Sequence, residues 1–272
     1  MVETTDGGSA DPAAAADRSV PTRLAGKVAL VTGASRGLGR FFATVLAREG
    51  ARVALAARSE TSLEEAAAAI RRAGGVAEAV AMDVAAPDQV AHGFSSIRER
   101  WGVPTIIVNN AGITETVEAL RQTPESFDAI LDVNLRGPWL VSREAARHMI
   151  ADKVGGSIVN VASILGLRQA GQVSAYATTK AGLIQMTKQL ALEWARYDIR
   201  VNALAPGYVE TDFNRDFFQT EKGAALIRRI PMRRLAALED LAEPLMLLAG
   251  DGGAMMTGTA LPVDGGHLVS TL

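Results

Sequence analysis

Seven short apolar runs alternate with segments of helical period between residues 27 and 263, and this alternation constrains the fold more than any other feature. The runs are Lys27–Thr32, Arg52–Ala57, Val76–Met82, Thr105–Val108, Ser157–Ala162, Ile199–Leu204 and Thr259–Val263. They are apolar at successive positions rather than alternate ones, the pattern of strands buried on both faces. Between the first two lies Gly37–Glu49, with Leu38, Phe41, Phe42, Val45 and Leu46 at helical spacing and Gly50 as its stop. A capping box at Thr61–Glu64 predicts the start of the next helix, and Gly74-Gly75 its end. Further helices are predicted over Pro87–Arg100, Pro124–Ile150 with an interruption at Gly137-Pro138, Ser174–Tyr197 and Leu238–Leu248. Strands joined through helices run parallel, with helices on both faces. The expectation is α/β: a single doubly wound domain over 24–272 with a seven-stranded parallel sheet, its ligands beyond the carboxyl ends of the strands.

Composition removes several function classes. The chain has no cysteine, so disulfides, thiolate catalysis and cysteine metal sites are excluded. His92, His148 and His267 are far apart in sequence and form no metal-binding pair, so they are read as surface or structural, with no metal. A formal net charge of −2 without clustered Lys and Arg argues against nucleic acid as a partner. No apolar run is long enough to predict a membrane span, and a cytoplasmic location is expected. Residues 1–23 are rich in Ala, Gly and Ser and are predicted to be a disordered tail.

The turn after the first strand reads Thr32-Gly33-Ala34-Ser35-Arg36-Gly37-Leu38-Gly39. Glycines let a backbone bend sharply and approach a pyrophosphate, and a helix N-terminus offers it free N–H groups. The position, after the first strand and opening the first helix, makes this a Rossmann-type phosphate site with the spacing GxxxGxG.

Further motifs follow in order: Asn109-Asn110-Ala111-Gly112, Asn134, Ser163, Tyr176-x-x-x-Lys180 and Pro206-Gly207. With the glycine turn, they resemble the short-chain dehydrogenase/reductase family, in its compact TGxxxGxG subgroup, over roughly Gly26 to Gly266. The similarity is greatest to ketoreductases of the 3-oxoacyl-carrier-protein reductase kind. The resemblance implies an enzyme that moves a hydride between nicotinamide and a carbonyl or alcohol carbon.

The choice of cofactor is read from the end of the second strand. NAD-binding units place an acidic residue about 20 residues past the glycines. Here Ala57 stands in that place, Arg58 follows, and Arg36 lies in the glycine turn, so NADP(H) is expected. The resemblance implies cofactor contacts at Gly33, Ser35, Arg36, Gly37, Leu38, Gly39 and Arg58. It adds Asp83 and Val84 at the adenine, though Asp83 also reads as a helix cap. It further implies contacts from Asn110, Ala111, Gly112, Tyr176, Lys180, Pro206, Gly207, Val209 and Thr211.

Reduction of a carbonyl needs a proton donor for the oxygen. Tyr176 and Lys180 lie four apart on one helical face, and a nearby ammonium is expected to lower the phenol's pKa. Ser163, at a strand end, suits stabilisation of an oxyanion. Asn134 completes the catalytic set by resemblance, holding a water in a proton relay to the lysine.

For substrate contacts, Ser163, Leu165, Val173, Tyr176, Tyr208 and Phe213 are expected, under a lid at about 208–230. Its aromatics suggest an apolar or acyl substrate, a ketone or 3-oxoacyl group. Steroid, terpenoid and sugar-acid substrates stay open, as do an oxidative dehydrogenase and a non-catalytic NADP sensor. The resemblance also implies a homotetramer paired through Leu131–Ile150 and Ser174–Tyr197.

Overall fold

In the computed structural model, which describes residues 22–210 and 215–270, the apolar runs form one seven-stranded parallel sheet. The strands are β1 (Val28–Thr32), β2 (Arg52–Ala57), β3 (Val76–Ala81), β4 (Ile106–Asn109), β5 (Gly156–Val161), β6 (Ile199–Pro206) and β7 (Ala260–Val263). Their order is β3-β2-β1-β4-β5-β6-β7. The helices between them are α1 (Gly37–Arg48), α2 (Glu60–Arg72), α3 (Pro87–Trp101), α4 (Pro124–Leu131), α5 (Gly137–Ala151) and α6 (Ser174–Trp194). Two short helices, α7 (Arg215–Gln219) and α8 (Glu221–Ile227), precede α9 (Ala242–Ala249).

Two cores explain why the strands are apolar at successive positions. Ala29 and Val31 of β1 pack with Phe42 and Leu46 of α1, Leu63 and Ile70 of α2, and Leu245 of α9. Val28 and Leu30, on the other face, pack with Phe94 of α3, Val141 and Met149 of α5, and Leu190 of α6. Phe42, Leu46 and Phe94 are wholly buried, and truncating any of them to alanine costs about 2–5 kcal/mol. The chain winds outward from β1 to β3, then returns to place β4 on the other side of β1. That reversal opens a crevice at the carboxyl ends of β1 and β4.

Two local expectations are corrected. The helix expected to open at Thr61 starts at Glu60 with Ser59 as its N-cap, and Glu64 pairs with Arg71 instead of closing a capping box. The long helical stretch does not break at Gly137-Pro138. Instead, a π-helical turn, Asp132–Arg136, lies between α4 and α5. Pro138 has no N–H to give the helical ladder, and the π turn absorbs that defect one turn earlier. The expected tail falls largely on residues 1–21, outside the described residues. Arg23, however, grips Glu49 at 2.7 Å and Glu243 at 2.9 Å, joining α1 to α9.

Candidate active site

The glycine turn is built by contacts on one side and openness on the other. Gly33 has a φ of +64°, and a Cβ there would lie 2.8 Å from the Ala111 Cα. A Cβ on Gly39 would overlap the Gly33 carbonyl oxygen. Gly37, with a φ of +54°, faces open space, so a bulky anion can approach the backbone there. The Asn110 amide donates to the carbonyls of Thr32 and Gly33, at 3.1 and 3.2 Å. The Thr32 hydroxyl oxygen accepts from the N–H groups of Asn110 and Ala111, at 3.0 and 3.1 Å. The Asn110-Ala111-Gly112 segment therefore holds the turn as well as facing the cleft.

Arg36 is the extended, exposed residue before α1, with Ser35 half-buried beside it. Arg58 is exposed immediately after β2. Among the described residues, neither guanidinium pairs with an acid. Ala57 ends β2 beside Ala81, with no carboxylate at that position. Asp83 accepts from the Ala85 N–H at 2.9 Å, a local turn ahead of α3, but the N-cap of α3 is Ala86 and no side chain caps it, so Asp83 is not the expected helix cap. The Val84 side chain is buried, and a Cβ on Gly137 would meet it at 2.8 Å, so only the Val84 backbone remains for a ligand.

Ser163 stands two residues past β5, buried, and its oxygen accepts from the Leu165 N–H at 3.1 Å. That bond leaves the Ser163 hydroxyl proton free to be donated. The Tyr176 phenol, on the first turn of α6, lies close enough to the Ser163 hydroxyl to be influenced by it. Lys180 lies one turn on, its Nζ 5.6 Å from the Tyr176 ring centre. The lysine is almost wholly buried and donates to the Val161 carbonyl at 2.7 Å. An ammonium has three donors, and no other acceptor engages this one among the described residues. Its remaining donors are open to a ligand in the cleft that it lines.

The expected direction of the phenol's titration is not what the site produces. Burial pushes the Tyr176 hydroxyl up, Ser163 pulls it down, and the nearby Tyr208 raises it. Burial lowers Lys180 to about 8. Within the protein alone, desolvation is the largest influence on the tyrosine.

Asn134 sits inside the π turn, wholly buried. Its amide donates to the Ile113 carbonyl and accepts from the Ile113 N–H, both at 2.8 Å, and donates to the Thr179 hydroxyl at 3.3 Å. Both amide hydrogens are thereby engaged. The side chain orients the strand-end segment that carries Gly112. Beneath it, Asn109 donates to Asn160 at 2.8 Å and to Ser142 at 2.9 Å, and Asn160 donates to Thr187 at 2.9 Å. This buried chain ties β4, β5, α5 and α6 together, which fixes the strand ends on which the site is built.

A cleft of about 360 Å³ gathers these groups. Of the expected residues, Leu38, Asn110, Gly112, Ser163, Leu165, Tyr176, Lys180, Pro206, Gly207, Tyr208 and Val209 line it. Val173 does not. It is the residue preceding α6, and its carbonyl accepts from Ala177, so its place on the chain serves the helix start. Thr211 and Phe213 lie outside the described residues. Sequence reasoning left out Val161 and Ala162 at the end of β5, and Ile113 and Thr114, where Asn134 holds the Ile113 backbone. Among the described residues no cluster of acids and histidines could hold a metal, and no helix is long and apolar enough to cross a membrane.

Residues 33–267 match a family model described as enoyl-(acyl carrier protein) reductase, a branch of the short-chain alcohol dehydrogenases. The chain belongs to the short-chain dehydrogenase/reductase family. It is similar to a 3-oxoacyl-[acyl-carrier-protein] reductase of Pseudomonas aeruginosa, 38% identical over 91% of this chain and 99% of that protein. It is 40% identical to 3beta-hydroxysteroid dehydrogenase 1 of Eggerthella lenta, over 89% of this chain and 94% of that one. A gluconate 5-dehydrogenase from Burkholderia cenocepacia, solved in complex with NADP and tartrate, superposes with a TM-score of 0.88 at 34% identity. That superposition covers 92% of this chain and 98% of the other. The chain is thus an oxidoreductase acting on CH–OH or C=O groups. Its relatives' names span thioester, steroid and sugar-acid substrates, so membership of the short-chain dehydrogenase/reductase family sets the reaction and leaves the substrate to the cleft's outer wall.

That wall begins at β6. The backbone of Tyr208 and Glu210 is strapped to Ala236 by two hydrogen bonds of 2.9 Å. The Tyr208 ring packs edge-on against Phe218 of α7, with centres 6.0 Å apart, and lies 5.6 Å from the ring of His267. His267 was read from sequence as a bystander, and only the tertiary fold brings it beside the cleft.

Proposed function

We propose that this protein binds NADP(H) and reversibly reduces a ketone or 3-oxoacyl group to a secondary alcohol, with Tyr176 as general acid and base. The observation that carries the reading is the convergence of the Ser163 hydroxyl, the Tyr176 phenol and the Lys180 ammonium on one cleft at the carboxyl ends of β4, β5 and β6.

The residues present fit the cofactor. Gly37 leaves open space at the α1 N-terminus, and Arg36 and Arg58 stand without acidic partners where a 2′-phosphate would need charge-assisted hydrogen bonds. Lys180, which lines the cleft, has donors to spare for a ribose hydroxyl that would accept there. When bound, the cofactor supplies the hydride.

The side chains do the rest. Ser163 donates to the substrate oxygen as negative charge develops there. Tyr176 gives that oxygen its proton, a transfer typically worth 10²–10⁴-fold. Lys180 holds positive charge one helical turn away, which favours the phenolate left behind. In oxidation the same groups run in reverse.

A homotetramer belongs to the same proposal. Trp139 and Ile150 of α5 and Leu192 of α6 are exposed apolar side chains on the two helices expected to pair, and sedimentation tests the assembly. The decisive experiment follows NADPH absorbance with a panel of ketones and 3-oxoacyl thioesters. Turnover abolished by Tyr176→Phe, with NADPH affinity retained, is the expected result. Tight NADPH binding without turnover on any carbonyl would favour the sensor.

A further inference from the structure

Beside Tyr208, which lines the cleft, lie two charges that the reaction itself does not use. Arg168 follows the short turn after Ser163, and its guanidinium donates to the His267 carbonyl and, at 3.3 Å, to the Ser270 hydroxyl. Arg229 follows α8 on the opposite side. It is exposed, and neither arginine pairs with an acid among the described residues. Pro231 and Met232 pack on Gly265 and Gly266, which brings the Arg229 segment onto the His267 segment.

Both arginines are close enough to act electrostatically on the same two rings. Burial raises the Tyr208 hydroxyl, and Arg168 and Arg229 each pull it back down. Burial lowers the His267 imidazole, and the same arginines lower it further. The nearby acid, Asp264, favours protonation of His267, but its two oxygens already accept from the N–H groups of Gly266 and Leu268, at 2.9 and 2.7 Å. Asp264 therefore does not neutralise either guanidinium through a direct bond.

An independent observation points the same way. His267 is only 6% exposed, yet its buried Nδ1 has no hydrogen-bond partner. A buried polar atom without a partner costs stability, so this nitrogen calls for a partner that the described residues do not supply. Its neighbour Tyr208 lines the cleft that holds Ser163 and Tyr176.

We infer that the cleft beside Tyr208 binds an anionic oxygen group, so that the substrate is an oxo or hydroxy compound carrying a carboxylate or phosphate beyond its reacting carbon. Arg168 and Arg229 hold the anion, and Tyr208 separates it from the reacting oxygen at Tyr176. This departs from the expectation of an apolar or acyl substrate, because two guanidiniums without acidic partners beside Tyr208 favour a charged ligand over a neutral one. The inference rests on the carbonyl-reductase reading above, and the test separates the two.

The test measures kcat/KM with NADPH for matched probes at low and high salt. Acetoacetate and 4-oxopentanoate are compared with their methyl esters, and an acetoacetyl thioester of 4′-phosphopantetheine with that of pantetheine. The carboxylate arm and the phosphate arm identify which source of anion the site takes. In the native protein, at least one anionic probe is expected to exceed its neutral partner by roughly tenfold at low salt, with the advantage shrinking as salt rises. Arg229→Gln is expected to erase most of that ratio through KM, and Arg72→Gln, an exposed cation on α2, to leave it intact. Equal use of neutral and anionic probes, or an unchanged ratio in Arg229→Gln, overturns the inference while leaving the reductase reading standing. Should no probe turn over, the reductase reading fails, and calorimetric titration of malonate and inorganic phosphate decides the anion site alone. Weaker binding in Arg229→Gln supports the site, and no binding, or equal binding, refutes it.

Discussion

Lys180→Met is expected to stabilise the protein without ligands while removing its activity. Burial holds the Lys180 ammonium at about 8 against an ordinary 10.5, and that difference corresponds to roughly 3 kcal/mol. Because the folded value lies below the unfolded one, the unfolded chain binds more protons between pH 8 and 10.5. The lysine's penalty is therefore constant below about pH 8 and is relieved as pH rises to 10.5. Methionine carries no charge to bury, but it leaves the Val161 carbonyl without its donor, a loss of about 1–3 kcal/mol. At pH 7 the variant should thus be as stable as the native chain or up to about 2 kcal/mol more so, a rise of roughly 4–8 °C at most. The sharper readout is the difference between the two stability curves. From pH 8 to 10.5 the native protein gains on the variant by up to about 3 kcal/mol. Tyr176 also titrates upward, but it is present in both proteins and to first order cancels. Urea unfolding at half-unit pH steps, on ligand-free protein, makes the measurement. Parallel curves across that range would refute the reasoning, because they would mean that the ammonium is solvated in the folded state.

Three further outcomes are expected. Arg58→Ala should raise the KM for NADPH about 10- to 100-fold, from the loss of roughly 1.5–3 kcal/mol of hydrogen bonding to a charged group, with little change for NADH; steady-state kinetics with both cofactors checks it. Gly39→Ala should abolish dinucleotide binding, read by fluorescence titration of NADPH, because its methyl would occupy the space of the Gly33 carbonyl and force the turn open. Asn134→Ala should cost about 2–4 kcal/mol in denaturant unfolding, since it leaves both the N–H and the carbonyl of Ile113 without their side-chain partner; kcat should fall with it as the Gly112 segment loosens.

Much of the site was legible before any coordinates. The glycine turn depends on backbone freedom and on helix-end N–H groups, both of which are local, and Gly33, Gly37 and Gly39 stand as expected. Tyr176 and Lys180 are tied by helical period alone, so their shared face is also local. Val173 was misplaced because adjacency to Tyr176 in sequence says nothing about which way a helix start faces the cleft. The direction of the Tyr176 shift was misjudged for a related reason. Charge proximity can be read from spacing, but desolvation depends on everything else that packs around the group. Asn134 was placed by resemblance, and its grip on Ile113, 21 residues away, has no local signature.

By itself the sequence determined the strand–helix alternation, the phosphate-binding corner and the chemistry of the reacting groups, because each rests on residues within a turn or two of one another. Only the tertiary structure decided the strand order that opens the crevice between β1 and β4, the buried Asn109–Asn160–Thr187 chain beneath it, and the meeting of Arg168, Tyr208, Arg229 and His267. Those contacts join segments up to about 100 residues apart. They form because two apolar faces of one sheet must both be covered, and no local pattern records which distant segments that burial brings together.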